Sequence, residues 1–202
     1  MFLGSRSPCE FTWGVLRPGA AVASDADGYR AQATALYAET FLAGAGLPVA
    51  HRPLRSADKA SMDRCGTPGG LAGSPYGCDG LAYADVIFLR AGFIGRLARG
   101  DEFAVETLLH EQLHTDRDYA RIDEGVVDAL AADLTPAFMH RIGAHAWGPV
   151  ELHYDALVQV VRQASARATG GSWRARAARL WRRALWPMTS AERAQLIEGA
   201  FS

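Results

Sequence analysis

The chain has 202 residues, 49% of them hydrophobic and 21% charged, with a formal net charge of -1. That length can bury a substantial core as one domain, and the charge gives no global pull towards nucleic acid or anionic membrane. No apolar run is long enough to span a bilayer.

Residues 1–25 read as an irregular segment. Its apolar residues Phe2, Leu3, Trp13, Val15 and Leu16 are interrupted by Arg6, Glu10 and Arg17, which makes a poor signal peptide and favours a soluble cytoplasmic protein over a secreted one. A helix is expected over 26–44, with Tyr29, Ala33, Leu36, Tyr37 and Thr40 along the side that backs a sheet. A short strand follows near 48–54. Cys65 and Cys78 frame a loop rich in Gly, Ser and Pro, and two readings stay open: a disulfide in an oxidising compartment, or two free thiols beside Cys9. The β-branched and aromatic run at 82–90 reads as a second strand.

The next helix carries the strongest signal. Asp101 is a fitting N-cap and Glu102 suits the first turn, so the helix should start near 102 and end around 115–117. Val105, Leu108, Leu109 and Leu113 fall on one apolar arc, while Phe103, Thr107, His110, Glu111 and His114 gather on the adjoining one, free to line a cleft. His110-Glu111-Gln112-Leu113-His114 is an HExxH motif. Histidines four apart on a helix project the same way, so both rings can reach one tetrahedral zinc ion, with the glutamate turned towards water on the metal. A zinc peptidase needs a third protein ligand, and the helical run 123–134 offers Glu124, with Asp128 one turn on to receive the second N–H of a ligand imidazole. The plainer alternative makes both acids solvated groups near a helix start.

These residues resemble the gluzincin metallopeptidases, in which HExxH is followed by a helix bearing a ligand glutamate and, four residues later, a supporting aspartate: here His110, Glu111, His114, Glu124 and Asp128. More loosely, Glu124, Asp128, Leu130, Ala131, Leu134 and Pro136 are similar to the glutamate helix of ImmA/IrrE-like metallopeptidases. The metzincin pattern is not met, because Arg117 and Ala120 stand where a glycine and a third histidine belong. The likeness covers about residues 80–136. It implies a zinc-dependent peptidase with Glu111 as general base, in a compact zincin-like α+β domain with a small sheet, an active-site helix and a helical C-terminal part. The parts would divide as 1–25, 26–136 and 137–202. It also implies an edge strand before the active helix, along which a protein or peptide substrate docks at 82–90. An internal strand is the other reading.

A further helix is expected over 150–167, with Val150, Tyr154, Leu157, Val158 and Val161 facing the core. Tyr154, His153 and His145 are the candidate donors to a developing oxyanion. Residues 172–186 place Arg176, Arg179, Arg182 and Arg183 beside an arc of Trp173, Leu180, Trp181 and Ala184. That basic amphipathic helix supports a rival reading: a catalytically inactive zincin-fold protein that binds nucleic acid or an acidic partner.

Overall fold

A computed structural model describes residues 25–47, 49–58, 62, 79–83, 85–114, 121–147, 152, 154–169, 192 and 195. The cysteines, His153 and the basic run at 172–186 lie outside the described residues. The fold is mixed α and β: five helices and a three-stranded sheet among the described residues.

Helix α1 (Ala26–Gly44) begins at Asp25, whose carboxylate accepts the Gly28 N–H at 2.7 Å. Its buried stripe is Gly28, Ala31, Ala35, Ala38 and Leu42. The side expected to back the sheet faces outward instead, with Tyr29 65%, Leu36 45% and Tyr37 41% exposed. Close helix packing is the reason: α1 lies against α2 (Ala91–Ala98), and its small side chains fit a gap that tyrosines would hold open.

Strand β1 is Leu54–Ala57 rather than 48–54. Pro53 has no N–H to give a ladder, but its carbonyl accepts from Ile87, so regular pairing starts one residue later. The strand expected over 82–90 is a hairpin of β2 (Gly80–Tyr83) and β3 (Val86–Arg90), reversing at the exposed turn residue Asp85. β3 is central, parallel to β1 and antiparallel to β2, so β2 forms an edge among the described residues. The strand period of two sends Ile87 and Leu89 into the main core and Phe88 into a small cluster with Ala57 and Met62.

The chain passes from β3 directly into α2, which sequence reasoning did not anticipate. Gly92 and Gly95 lower its helix propensity and Arg90 gives no side-chain cap, yet Phe93, Ile94 and Leu97 bury one face. Asp101 then caps α3 (Glu102–Leu113), accepting from Ala104 N at 3.1 Å and from Arg96 at 2.7 Å. Helix α3 is buried on every side from Ala104 to Leu113, because β2 and the next helix cover the arc expected to be open. It also stops at Leu113, short of 115–117, with His114 as an extended C-cap.

Helix α4 (Arg121–Arg141) runs through Pro136, so the division expected at 136/137 falls inside it; buried Phe138 and Met139 anchor its last turn. Helix α5 (Asp155–Thr169) starts later than 150 and buries Val158 and Val161. All five helices, with β1 and β3, feed one hydrophobic core. No helix among the described residues is long and apolar enough to cross a membrane.

The crossing of α4 and α5 requires glycine. A Cβ at Gly125 would stand 2.6 Å from Leu157 Cβ and 2.9 Å from its backbone carbon, and a backbone cannot step aside as a side-chain tip can. Gly125→Ala should therefore lower the unfolding free energy by about 1–3 kcal/mol in urea titration.

Candidate metal centre

Three elements bring the polar residues together. Helix α3 supplies His110 and Glu111 and ends in His114; α4 supplies Glu124 and Asp128; Tyr154 is the residue before α5. The rings of His110 and His114 meet edge to face, their centroids 4.9 Å apart. Glu124 Oε2 lies 3.2 Å from Nε2 of His110 and 3.6 Å from Nε2 of His114. Donors bound at about 2.0–2.1 Å to one tetrahedral zinc ion stand about 3.3 Å apart, close to both of these separations.

Glu111 is also near, its carboxylate within 4.8 Å of ligand atoms of both histidines. Glu111 and Glu124 thus both approach the pair of histidines. Glu111 Oε2 accepts the Ala82 N–H at 2.6 Å, which turns its carboxylate towards β2. Gly80 makes that contact possible: a Cβ there would stand 2.7 Å from Glu111 Cγ and 2.8 Å from Thr107 Cγ2.

Behind the histidines, fully buried Asp128 divides its oxygens between two elements. Oδ1 faces His110 Nδ1 at 3.5 Å, and Oδ2 accepts the Tyr154 N–H at 2.9 Å. The second contact holds the start of α5 against the site and stacks the Tyr154 ring on His110 at 6.0 Å between centroids. Tyr154 thus stands beside His110 rather than in the core stripe of α5. His145 does not join them: its neighbour Trp147 bonds Glu102 at the far end of α3.

Two participants escaped the sequence reading. Glu106, buried one turn before His110, has its carboxylate within 4.8 Å of ligand atoms of His110 and Asp128, and its i−4 spacing from His110 was a readable signal. Arg52 is only 3% exposed and donates to the carbonyls of Glu111 and His114; nothing in its local sequence announces that. Comparison with family models, with curated proteins and with solved structures found no match for this chain.

Four carboxylates around two imidazoles make a site that attracts cations. Burial alone pushes the His110 ring towards its neutral form, but hydrogen bonding to Asp128 and Glu124 and the charges of Glu111 and Glu124 outweigh it. The ring is held well above its ordinary pKa of 6.5. A value raised in the folded state gives stability that is fully present below the unfolded value and is lost as pH rises through the folded one. Metal-free protein should therefore lose thermal stability as pH is raised above 6.5, and His110→Gln should flatten that part of the melting-temperature profile.

Proposed function

We propose that this chain is a zinc-dependent peptidase of the gluzincin type, with His110, His114 and Glu124 as metal ligands. The observation that carries the reading is the approach of one Glu124 oxygen to both Nε2 atoms, at 3.2 and 3.6 Å. These residues would hold a zinc ion whose Lewis acidity would polarise a peptide carbonyl and acidify water.

The chain's own residues do the rest. Glu111, pinned beside the sheet edge by Ala82, takes a proton from the attacking water and passes it to the leaving amine. Asp128 keeps His110 in the tautomer that presents Nε2, through the facing Nδ1. Tyr154, whose ring stacks on that of His110, is the candidate for donating a hydrogen bond to the developing oxyanion. Most of the 82–90 segment expected to dock a substrate is β3, which is central in the sheet; an extended protein or peptide substrate would align instead on β2, the edge among the described residues beside Glu111.

The test separates holding the metal from moving the proton. Purified protein should contain about one zinc per chain, and His110→Ala or His114→Ala should remove it. Glu111→Gln should keep zinc and fold yet cut cleavage of a peptide library by at least about 100-fold. Undiminished cleavage by Glu111→Gln would remove it as the base, and a zinc-loaded wild type that cuts no peptide would count against a peptidase.

Gly80→Ala probes the support of the base. Its methyl group displaces the Glu111 side chain, so activity should fall while zinc content, measured by emission spectrometry, stays at the wild-type level.

A further inference from the structure

Helix α3 ends at Leu113, with His114 as its C-cap. The φ of -62° keeps the His114 Cα–Cβ bond in the helical direction, whereas the ψ of 135° turns its carbonyl out of the helix. The placement of that carbonyl therefore depends on what holds it from outside the helix. The last carbonyls of a helix also lack intrahelical partners, and the negative end of the helix dipole gathers there.

Arg52 answers both needs from a distant part of the chain. Its Nη1 donates to the His114 carbonyl and, at 3.4 Å, to the Glu111 carbonyl. One cation thus ties the backbone of the proposed second ligand to that of the proposed base. Helix α1 in turn holds the segment carrying Arg52. Glu39 Oε1 accepts the Arg52 N–H at 3.3 Å, Glu39 Oε2 meets His51 Nδ1 at 3.0 Å, and Gln32 Oε1 accepts the Leu54 N–H at 3.2 Å. Gln32 and Glu39 are two helical turns apart, so one face of α1 fixes the segment on both sides of Arg52.

We propose that Arg52 is the positioning residue for His114: by clamping its carbonyl, it sets the backbone from which the second imidazole reaches the metal. This rests on the zinc reading above. The guanidinium acts on the site through main-chain carbonyls, those of His114 and Glu111. An ordinary helix cap in its place would change folding stability but leave the metal affinity of the folded molecule unchanged.

Full-length wild type, Arg52→Met and Arg52→Lys decide between these. Zinc affinity is measured by competition with a chromophoric chelator, the cobalt-substituted forms are compared by visible absorption, and thermal unfolding of the metal-free proteins identifies the folded ones. Arg52→Met should bind zinc about 10–100-fold more weakly, the range seen when a ligand loses its orienting partner, with an altered cobalt spectrum. Arg52→Lys should recover part of both, because an ammonium can still donate to one carbonyl but lacks the planar fork. A folded Arg52→Met with wild-type affinity and spectrum overturns the proposal. If Arg52→Met does not fold, Arg52→Lys decides: weaker binding with a shifted spectrum supports the assignment, and wild-type behaviour overturns it. A wild type that takes up neither zinc nor cobalt overturns the metal reading and this proposal with it.

Discussion

The convergence of carboxylates on the two imidazoles of α3 is the constraint around which the rest of this fold is arranged. Burying so many ionisable groups is unfavourable unless each finds a partner, and one unpaired charge in such a place would cost several kcal/mol. Each neighbouring element therefore brings a polar link as well as apolar packing. Strand β2 gives the Ala82 N–H to Glu111, α4 sets Glu124 and Asp128 against His110, the start of α5 gives the Tyr154 N–H to Asp128, and the segment before β1 gives Arg52 to the end of α3. The polar centre and the hydrophobic core are interleaved, since Leu108, Leu109 and Leu113 are fully buried on the same helix.

Close approach makes those links geometrically possible, and small residues supply it. Gly80 lets β2 rest on Thr107 and Glu111, and Gly125 lets α5 rest on α4. Ala31, Ala35 and Ala38 let α1 sit against α2 while Gln32 and Glu39 reach across to the segment bearing Arg52. The glycines hold no chemistry themselves. They set the distances at which their neighbours' chemistry operates.

What was readable in the sequence follows from range. The helix expected over 26–44 matches α1 in extent though not in the face it buries, Asp101 caps α3 as expected, and His110, Glu124 and Asp128 lie on helices that do meet, with His114 at the end of the first. Features settled by distant partners were not readable. The outward turn of Tyr29, Leu36 and Tyr37 depends on how near α2 approaches, and the early end of α3 coincides with Arg52, 62 residues away from His114. The hairpin at Asp85 was legible in principle, as a turn residue inside an apolar run, but strand content outweighed it. Glu106 was equally legible by spacing, yet only burial distinguishes it from an ordinary helix-surface acid.

The proposed zinc site accounts for a geometry that a core ion pair does not explain. A structural histidine needs one acceptor for each N–H. Here His110 faces Asp128 through Nδ1 and Glu124 through Nε2, while His114 turns its own Nε2 towards the same Glu124 oxygen. Charging both rings would set two imidazolium ions edge to face at 4.9 Å, a like-charge contact that burial makes more costly. One proton on His110 Nε2 meets Glu124 but leaves His114 without the same benefit. A single divalent ion among the three atoms would satisfy both Nε2 lone pairs and the carboxylate together, leaving the Nδ1 proton of His110 directed at Asp128. On the proposed zinc reading, proton and metal would compete for one position, and metal uptake would be coupled to the release of a proton from His110.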